Sequence, residues 1–130
     1  MNIHKSVDPL LQKPVLQLTP FFSVEDEKEI LPHMPHCISA RWNPSFTDIT
    51  VEGADKGNAL LKVAAHIGIS PSECIAFGDG GNDISILQAA GIGVAMGNAN
   101  DDVKSVADYV TTSVDEDGIL NAFKHFGLLE

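Results

Sequence analysis

Ile75-Ala76-Phe77-Gly78-Asp79-Gly80-Gly81-Asn82-Asp83-Ile84-Ser85-Ile86-Leu87 is the stretch whose reading decides the fold. A short apolar run ends in a glycine-broken acidic turn, and an amphipathic pattern follows at once. This order predicts a buried strand over Ile75–Phe77 and a helix over Asp83–Ala90, with Asp79 and Asp83 at the junction. Two carboxylates held there make a hard-oxygen site suited to Mg²⁺. The helix amino terminus beside them attracts anions, phosphate above all. The turn therefore points to phosphate chemistry assisted by a divalent cation.

Outward from this turn the chain alternates between α and β patterns. Asp55 caps a predicted helix from Lys56 to His66, with Leu60, Leu61, Val63, Ala64 and Ile67 on its apolar side, and Gly68 ends it. Downstream, Ile92–Met96 reads as a second buried strand and Asp101–Val106 as a short helix. Tyr109–Thr111 reads as a third strand and Gly118–Phe126 as a closing helix. Strands separated by helices of this length predict βαβ units and a parallel sheet. Ligands of such sheets sit beyond the carboxyl ends of the strands, where the Gly78–Asp83 and Gly97-Asn98-Ala99 turns both fall.

Upstream the pattern differs. Pro14, Pro20, Pro32, Pro35 and Pro44 cut the segment from Met1 to Thr47 into short pieces. A strand is expected at Val15–Leu18 and a helix from the Ser23 cap to Leu31, stopping before Pro32. Two further strands, Cys37–Trp42 and Phe46–Val51, flank a turn at Trp42–Ser45. The expectation is a small α+β unit over residues 1–47 and an α/β unit over 48–130.

Composition bounds the function. The 130 residues are 44% hydrophobic and 20% charged, enough for one modest globular unit. The net charge of −10 argues against nucleic acid or an anionic membrane surface as partner, since both demand basic patches. No apolar run approaches a membrane span and the amino terminus has no signal-peptide pattern, so a soluble cytoplasmic location is expected. Cys37 and Cys74 lack metal-ligand spacing, and Cys74 reads as a small buried hydrophobe. No histidine pair has the spacing of a zinc helix, and His33 and His36 read as solvated.

Lys56-Gly57 followed by Gly78-Asp79-Gly80-Gly81-Asn82-Asp83 and then by Gly93-Val94-Ala95-Met96-Gly97-Asn98-Ala99 resembles the haloacid dehalogenase superfamily. Val103-Lys104, Ala107-Asp108-Tyr109-Val110 and Asp115-Glu116-Asp117-Gly118 extend the resemblance. It is closest to the Cof-type (subfamily IIB) phosphatases, which carry an α/β cap inserted in a Rossmann-like core. The resemblance implies an α/β fold: the carboxyl-terminal half of that core, with a parallel sheet flanked by helices, plus the later part of the cap. It implies a hydrolase of small phosphorylated metabolites such as sugar phosphates, with Mg²⁺ as cofactor. Asp79 would ligate Mg²⁺ and Asp83 would hold it directly or through water. Asn82 would touch the phosphate, and Lys56 would neutralise the nucleophile and the phosphoryl oxygens. Asn98 and Lys104 would support the site or serve structure. Arg41 and Trp42 could reach a ligand, although packing plus a solvated charge is the plainer reading.

In the family an aspartate of an Asp-x-Asp-x-Thr loop attacks phosphorus and forms an aspartyl-phosphate. That loop and a Ser or Thr on the next strand precede the cap. Asp115-Glu116-Asp117 mimics the loop, but Ile119 stands at the threonine position and too few residues follow. Asp8-Pro9 lacks a preceding strand and a second aspartate. The chain therefore reads as a carboxyl-terminal fragment, poorly active or inactive alone. Its Ile75–Phe77 strand would lack its family partner, which implies a homo-oligomer, a swapped pairing or a missing amino-terminal segment. The alternatives are a non-catalytic metal- or phosphate-binding or interaction module, and the phosphorylation domain of a P-type ATPase. The last is disfavoured by the lack of an apolar span and of an Asp-Lys-Thr-Gly motif.

Overall fold

Two three-stranded sheets organise the chain, and the spacing of apolar residues explains which is antiparallel and which parallel. The structure, a computed structural model, describes residues 12–129. In the first sheet β1 (Gln17–Leu18), β2 (Cys37–Asn43) and β3 (Phe46–Val51) pair antiparallel in the order β1-β3-β2. Strand side chains alternate between faces, so the register Ile38↔Thr50 and Ala40↔Asp48 puts those four residues on one face. Ser39, Thr47 and Ile49 lie on the other, where Thr47 and Ile49 are buried and the Ser39 and Thr47 hydroxyls stand 2.6 Å apart. Helix α1 (Val24–Ile30) is fastened to β2 by the Arg41–Glu27 pair at 2.6 Å.

The second sheet is parallel, in the order β4-β5-β6 (Ile75–Gly78, Ile92–Ala95, Tyr109–Val110). Helices α2 (Lys56–Ile67), α3 (Ile84–Ala89), α4 (Asp101–Val106) and α5 (Gly118–His125) accompany it. Ala76, Leu87, Ala95, Ala99 and Val103 form the buried core, with Leu60 and Ile86 packed against it. Phe123 of α5 meets Phe77 edge to face at 5.4 Å, and His125 stacks on Tyr109 at 4.1 Å. The parallel sheet flanked by helices is the expected fold class. Strand β4 lies at a sheet edge and pairs only with β5 among the described residues. Beside it runs an apolar groove of about 490 Å³ lined by Leu60, Val63, Ile67, Ile69, Cys74 and Ile75.

Several expectations shift in detail. The antiparallel sheet continues to Val51, so the change of architecture falls in the turn at Glu52–Ala54, beyond Asp48. The chain does not leave helical geometry before Pro32 but tightens into a 3₁₀ turn, Leu31–His33, in whose first turn a proline needs no donor. Strand β2 runs through Asn43, because Arg41 donates to the carbonyls of Asn43, Pro44 and Phe46 and holds the hairpin closed. The helix expected over Asp83–Ala90 splits into a 3₁₀ turn, Gly81–Asp83, and α3. Cys74 is half-buried rather than buried, because it lies between the 3₁₀ turn at Pro71–Glu73 and the strand that starts at Ile75, at the lip of the apolar groove. His33 and His36 are exposed. Among the described residues no helix is long and apolar enough to cross a membrane, and Asp8-Pro9 lies outside them.

Candidate active site

The site grows from the loop that follows β4. Gly78 ends the strand where a side chain has no room: a β-carbon there would stand 2.5 Å from Cβ of Asp83. That closeness lets the loop fold back on the Asp83 carboxylate. Asp83 Oδ2 accepts the backbone N–H of Asp79 at 3.0 Å and of Gly80 at 3.1 Å, while the Asp83 N–H donates to the Gly80 carbonyl at 2.8 Å. Asp83 Oδ1 accepts from Lys56 Nζ in a short ion pair. The carboxylate is nearly buried, whereas the Lys56 side chain is half-exposed and its remaining donors stay available. Burial pushes the Asp83 pKa up, but the hydrogen bonds from Lys56, Gly80 and Asp79 and the Lys56 charge outweigh it and hold the carboxyl below its ordinary value. Asp83 is thus an anion that fixes a lysine and shapes a loop.

Lys56 is delivered from a different element. Asp55 caps α2 by accepting the Asn58 N–H at 2.9 Å, which sets Lys56 as the first helical residue. Gly57 then lets α2 press on α3: a β-carbon there would collide with the Ser85 carbonyl, and its N–H donates to Ser85 Oγ at 3.1 Å. The Lys-Gly pair is therefore one device, a cation followed by the close approach that positions it. Sequence reasoning found Lys56 but missed Ser85, whose role is legible only once two helices are in contact.

Asp79 is exposed, and its Oδ2 accepts from Asn98 Nδ2 at 3.1 Å. Asn98, from the turn after β5, is itself aligned by the Val114 N–H on its Oδ1 at 3.0 Å. Asn98 thus holds the carboxylate from a second strand end, which gives the expected supporting role a specific contact. Asn82 sits in the 3₁₀ turn and, with Lys56, lines a cleft of about 100 Å³ beneath the antiparallel sheet. Lys56, Asp83, the Asp79 backbone and Asn82 are brought to one place, at the carboxyl end of β4.

The donor set fits a hard cation in part. Asp79 retains free lone pairs on a solvent-facing carboxylate, as Mg²⁺ requires. Asp83 is more heavily engaged: Oδ1 accepts from Lys56 and Oδ2 from two N–H groups, which leaves a lone pair on Oδ1 only. No group of three or more His, Cys, Asp or Glu side chains gathers as a cage among the described residues. Arg41 is neither solvated nor free for a ligand, since Glu27 and five backbone carbonyls consume its donors. Lys104 lies half-buried in the last turn of α4, with no acidic partner within ion-pair distance among the described residues.

Comparison with known proteins places this geometry in a family. Residues 2–123 match the haloacid dehalogenase-like hydrolase family. YkrA of Bacillus subtilis (strain 168) is 40% identical over 118 residues, which are 91% of this chain and 46% of that protein. The 5-amino-6-(5-phospho-D-ribitylamino)uracil phosphatase YcsE of the same organism is 42% identical over 86 residues, 66% of this chain and 34% of its own length. Among solved structures the HAD subclass IIB sugar phosphatase BT4131 superposes with a TM-score of 0.91 at 50% identity, covering 96% of this chain and 48% of that one. The chain thus spans about half the length of relatives it matches almost end to end. It belongs to the haloacid dehalogenase-like hydrolases, and resembles the carboxyl-terminal part of their Cof-type phosphatases.

Proposed function

We propose that this chain carries the cation- and phosphate-holding half of a Mg²⁺-dependent phosphomonoesterase acting on small phosphorylated metabolites such as sugar phosphates. The antiparallel unit ending at Val51 forms part of its cap and the unit from Lys56 onward half of its core, in place of the expected division between 47 and 48. Lys56 neutralises phosphoryl oxygens and the attacking carboxylate, Asn82 meets the phosphate, and Asp79 ligates Mg²⁺. Asp83 holds Lys56 and the loop, and meets the cation directly or through water. Phosphoryl transfer depends chiefly on positioning and on neutralising the charge of the equatorial oxygens. When bound, Mg²⁺ supplies part of that neutralisation. The observation that carries the reading is the Asp83 carboxylate, tied at once to Lys56 of α2 and to the N–H groups of the loop that presents Asp79.

The attacking aspartate comes from outside these residues, so the chain alone turns over little or nothing. The open edge of β4 and its apolar groove are covered by the segment that supplies it, or by a second copy. Hydrolysis of p-nitrophenyl phosphate is the test. We expect near-background rates for the chain alone. On mixing with the first half of YkrA, Mg²⁺-dependent turnover should appear and be lost in Asp79→Ala. Undiminished turnover in Asp79→Ala, or in the presence of a chelator, would overturn the reading. A binding module without turnover is the second reading, favoured by the lack of a third carboxylate near Asp79 among the described residues. Mixing that restores Mg²⁺-dependent phosphate binding but no hydrolysis would select it.

A further inference from the structure

We infer that Ser85 is the positioning residue of Lys56: its hydroxyl pins the start of α2 to α3 and so fixes where the lysine ammonium meets a phosphoryl group. The inference rests on the phosphate-holding role proposed for Lys56. A lysine ammonium rides on a flexible four-carbon stem, so it is placed only if both ends of that stem are held. The outer end is held by Asp83 Oδ1. The inner end is held by Ser85, two residues further along the same segment. Its Oγ accepts the N–H of Gly57, the residue next to Lys56, at 3.1 Å. That N–H is one of the donors at a helix start that no helical carbonyl takes. Asp55 accepts the Asn58 N–H at 2.9 Å, so two side chains divide the open end of α2 between them.

The contact is close enough for a hydroxyl to act as a pin. Gly57 is buried, and a β-carbon on it would stand 2.4 Å from the Ser85 carbonyl oxygen and 3.1 Å from Ser85 Cβ. Helix α2 therefore meets α3 backbone against backbone, within reach of a hydroxyl one carbon from the chain. Helix α3 is itself anchored: Leu87 is 1% exposed, and Ile84 and Ile86 pack on the same core. The Ser85 hydroxyl acts on Asp55 as well. The Asp55 carboxyl is held below its ordinary value by the Asn58 N–H first and the Asn58 side chain second, with the Ser85 hydroxyl as a lesser cause. Asp83 and Ser85 thus belong to one stretch of chain that also carries Asp79 and Asn82, and Lys56 is placed relative to that stretch. Ser85 does not line the cleft shared by Lys56 and Asn82, so it acts through Lys56 rather than on a ligand. A displacement of about 1 Å at such a charge is enough to lose much of its effect.

Inorganic phosphate is titrated calorimetrically, in Mg²⁺, into the chain and into Lys56→Ala, Ser85→Ala, Ser85→Cys and Ser85→Thr, with urea unfolding of each. The parent is expected to bind and Lys56→Ala to lose binding. Ser85→Ala is expected to bind about tenfold more weakly, the size of one misplaced hydrogen bond to a charged group. Ser85→Thr keeps the hydroxyl and stays within about threefold of the parent. Ser85→Cys keeps the size but offers a weak acceptor, so it follows Ser85→Ala and serves should that variant lose its fold. Affinity is read on the folded chain, so a structural role alone would lower the urea midpoint and leave phosphate affinity unchanged. That result, or a Ser85→Thr as weak as Ser85→Ala, overturns the inference alone. No binding by the parent, or undiminished binding by Lys56→Ala, overturns the phosphate-holding role and the inference together.

Discussion

Two acidic glycine turns lie in the parallel half of the molecule, and they use the same residue types to different ends. In the turn after β4, Asp83 takes its hydrogen bonds from Lys56, far away in sequence, and from the loop it closes, while Asp79 is held by Asn98 from another strand end. In the turn before α5, Glu116 Oε2 accepts from the N–H and hydroxyl of Ser113 at 3.2 and 2.8 Å, a purely local box. Asp117 there adopts the left-handed conformation (φ 56°), and Asp115 accepts no hydrogen bond and joins no ion pair among the described residues. A capping turn satisfies itself from its neighbours in sequence. A site borrows its partners from elements that only the fold brings near. The Asp-x-Asp pattern at Asp115–Asp117 is thus helix-start chemistry, in keeping with its rejection as a nucleophile loop.

The comparison breaks most readily at Gly78. Gly78→Ala forces a β-carbon onto Asp83 Cβ, and overpacking of this kind costs about 1–3 kcal/mol. Urea unfolding should show a loss in that range, with phosphate binding gone. Asp83→Ala comes next. It strands two part-buried N–H groups, at about 1–3 kcal/mol, whereas half-exposed Lys56 rehydrates and adds little. A stability unchanged in both variants would mean that the loop after β4 is no more integrated than the loop before α5.

Asp79→Ala sharpens the contrast by separating function from fold. The side chain is exposed and its one partner, Asn98, keeps its Val114 contact. Stability should stay within about 0.5 kcal/mol of the parent, while the Mg²⁺ dependence of phosphate binding, followed by calorimetry, disappears. A variant that loses stability instead would make Asp79 a structural turn residue like Glu116.

Acid distinguishes the turns as well. The folded-state pKa of Asp83 is held down, so its carboxylate stabilises the fold fully above the unfolded value of about 3.9 and the contribution is lost as pH falls through the folded value. Glu116 is also held low, by the Ser113 hydroxyl first and the Ser113 N–H second, but on the open surface, where water screens the effect. Unfolding followed over roughly pH 3 to 6 should therefore flatten more in Asp83→Asn than in Glu116→Gln. Equal slopes would erase the distinction.

How much of this was legible beforehand follows the same division between local and distant partners. The Ser23 and Asp55 caps, the left-handed Gly68 and the alternation of β3 are decided within a few residues, and each is where the pattern puts it. Lys56, Asp79, Asn82 and Asp83 could be named because turn chemistry and the resemblance single them out. What they touch could not. That Asp83 Oδ1 takes Lys56, that Ser85 seats Gly57, and that Asp48 and Asn82 line one cleft are relations between separate elements. Arg41 read as a solvated charge because Glu27 lies fourteen positions away, on a helix whose docking no local pattern encodes.

The smallest expected effect bears on the comparison from the other side. Asp115→Asn removes a charge and nothing else, because Asp115 takes part in no hydrogen bond or ion pair among the described residues. An exposed substitution of this kind stays within about 0.5 kcal/mol, and phosphate and Mg²⁺ binding should match the parent. Were Asp115 part of a nucleophile loop, the same isosteric change would remove an attacking or metal-facing oxygen and abolish Mg²⁺-dependent turnover in the reconstituted enzyme. Calorimetry and p-nitrophenyl phosphate hydrolysis read the two outcomes separately. A loss of turnover at unchanged stability would move the chemistry from the loop after β4 to the turn before α5 and invert the assignment of the two turns.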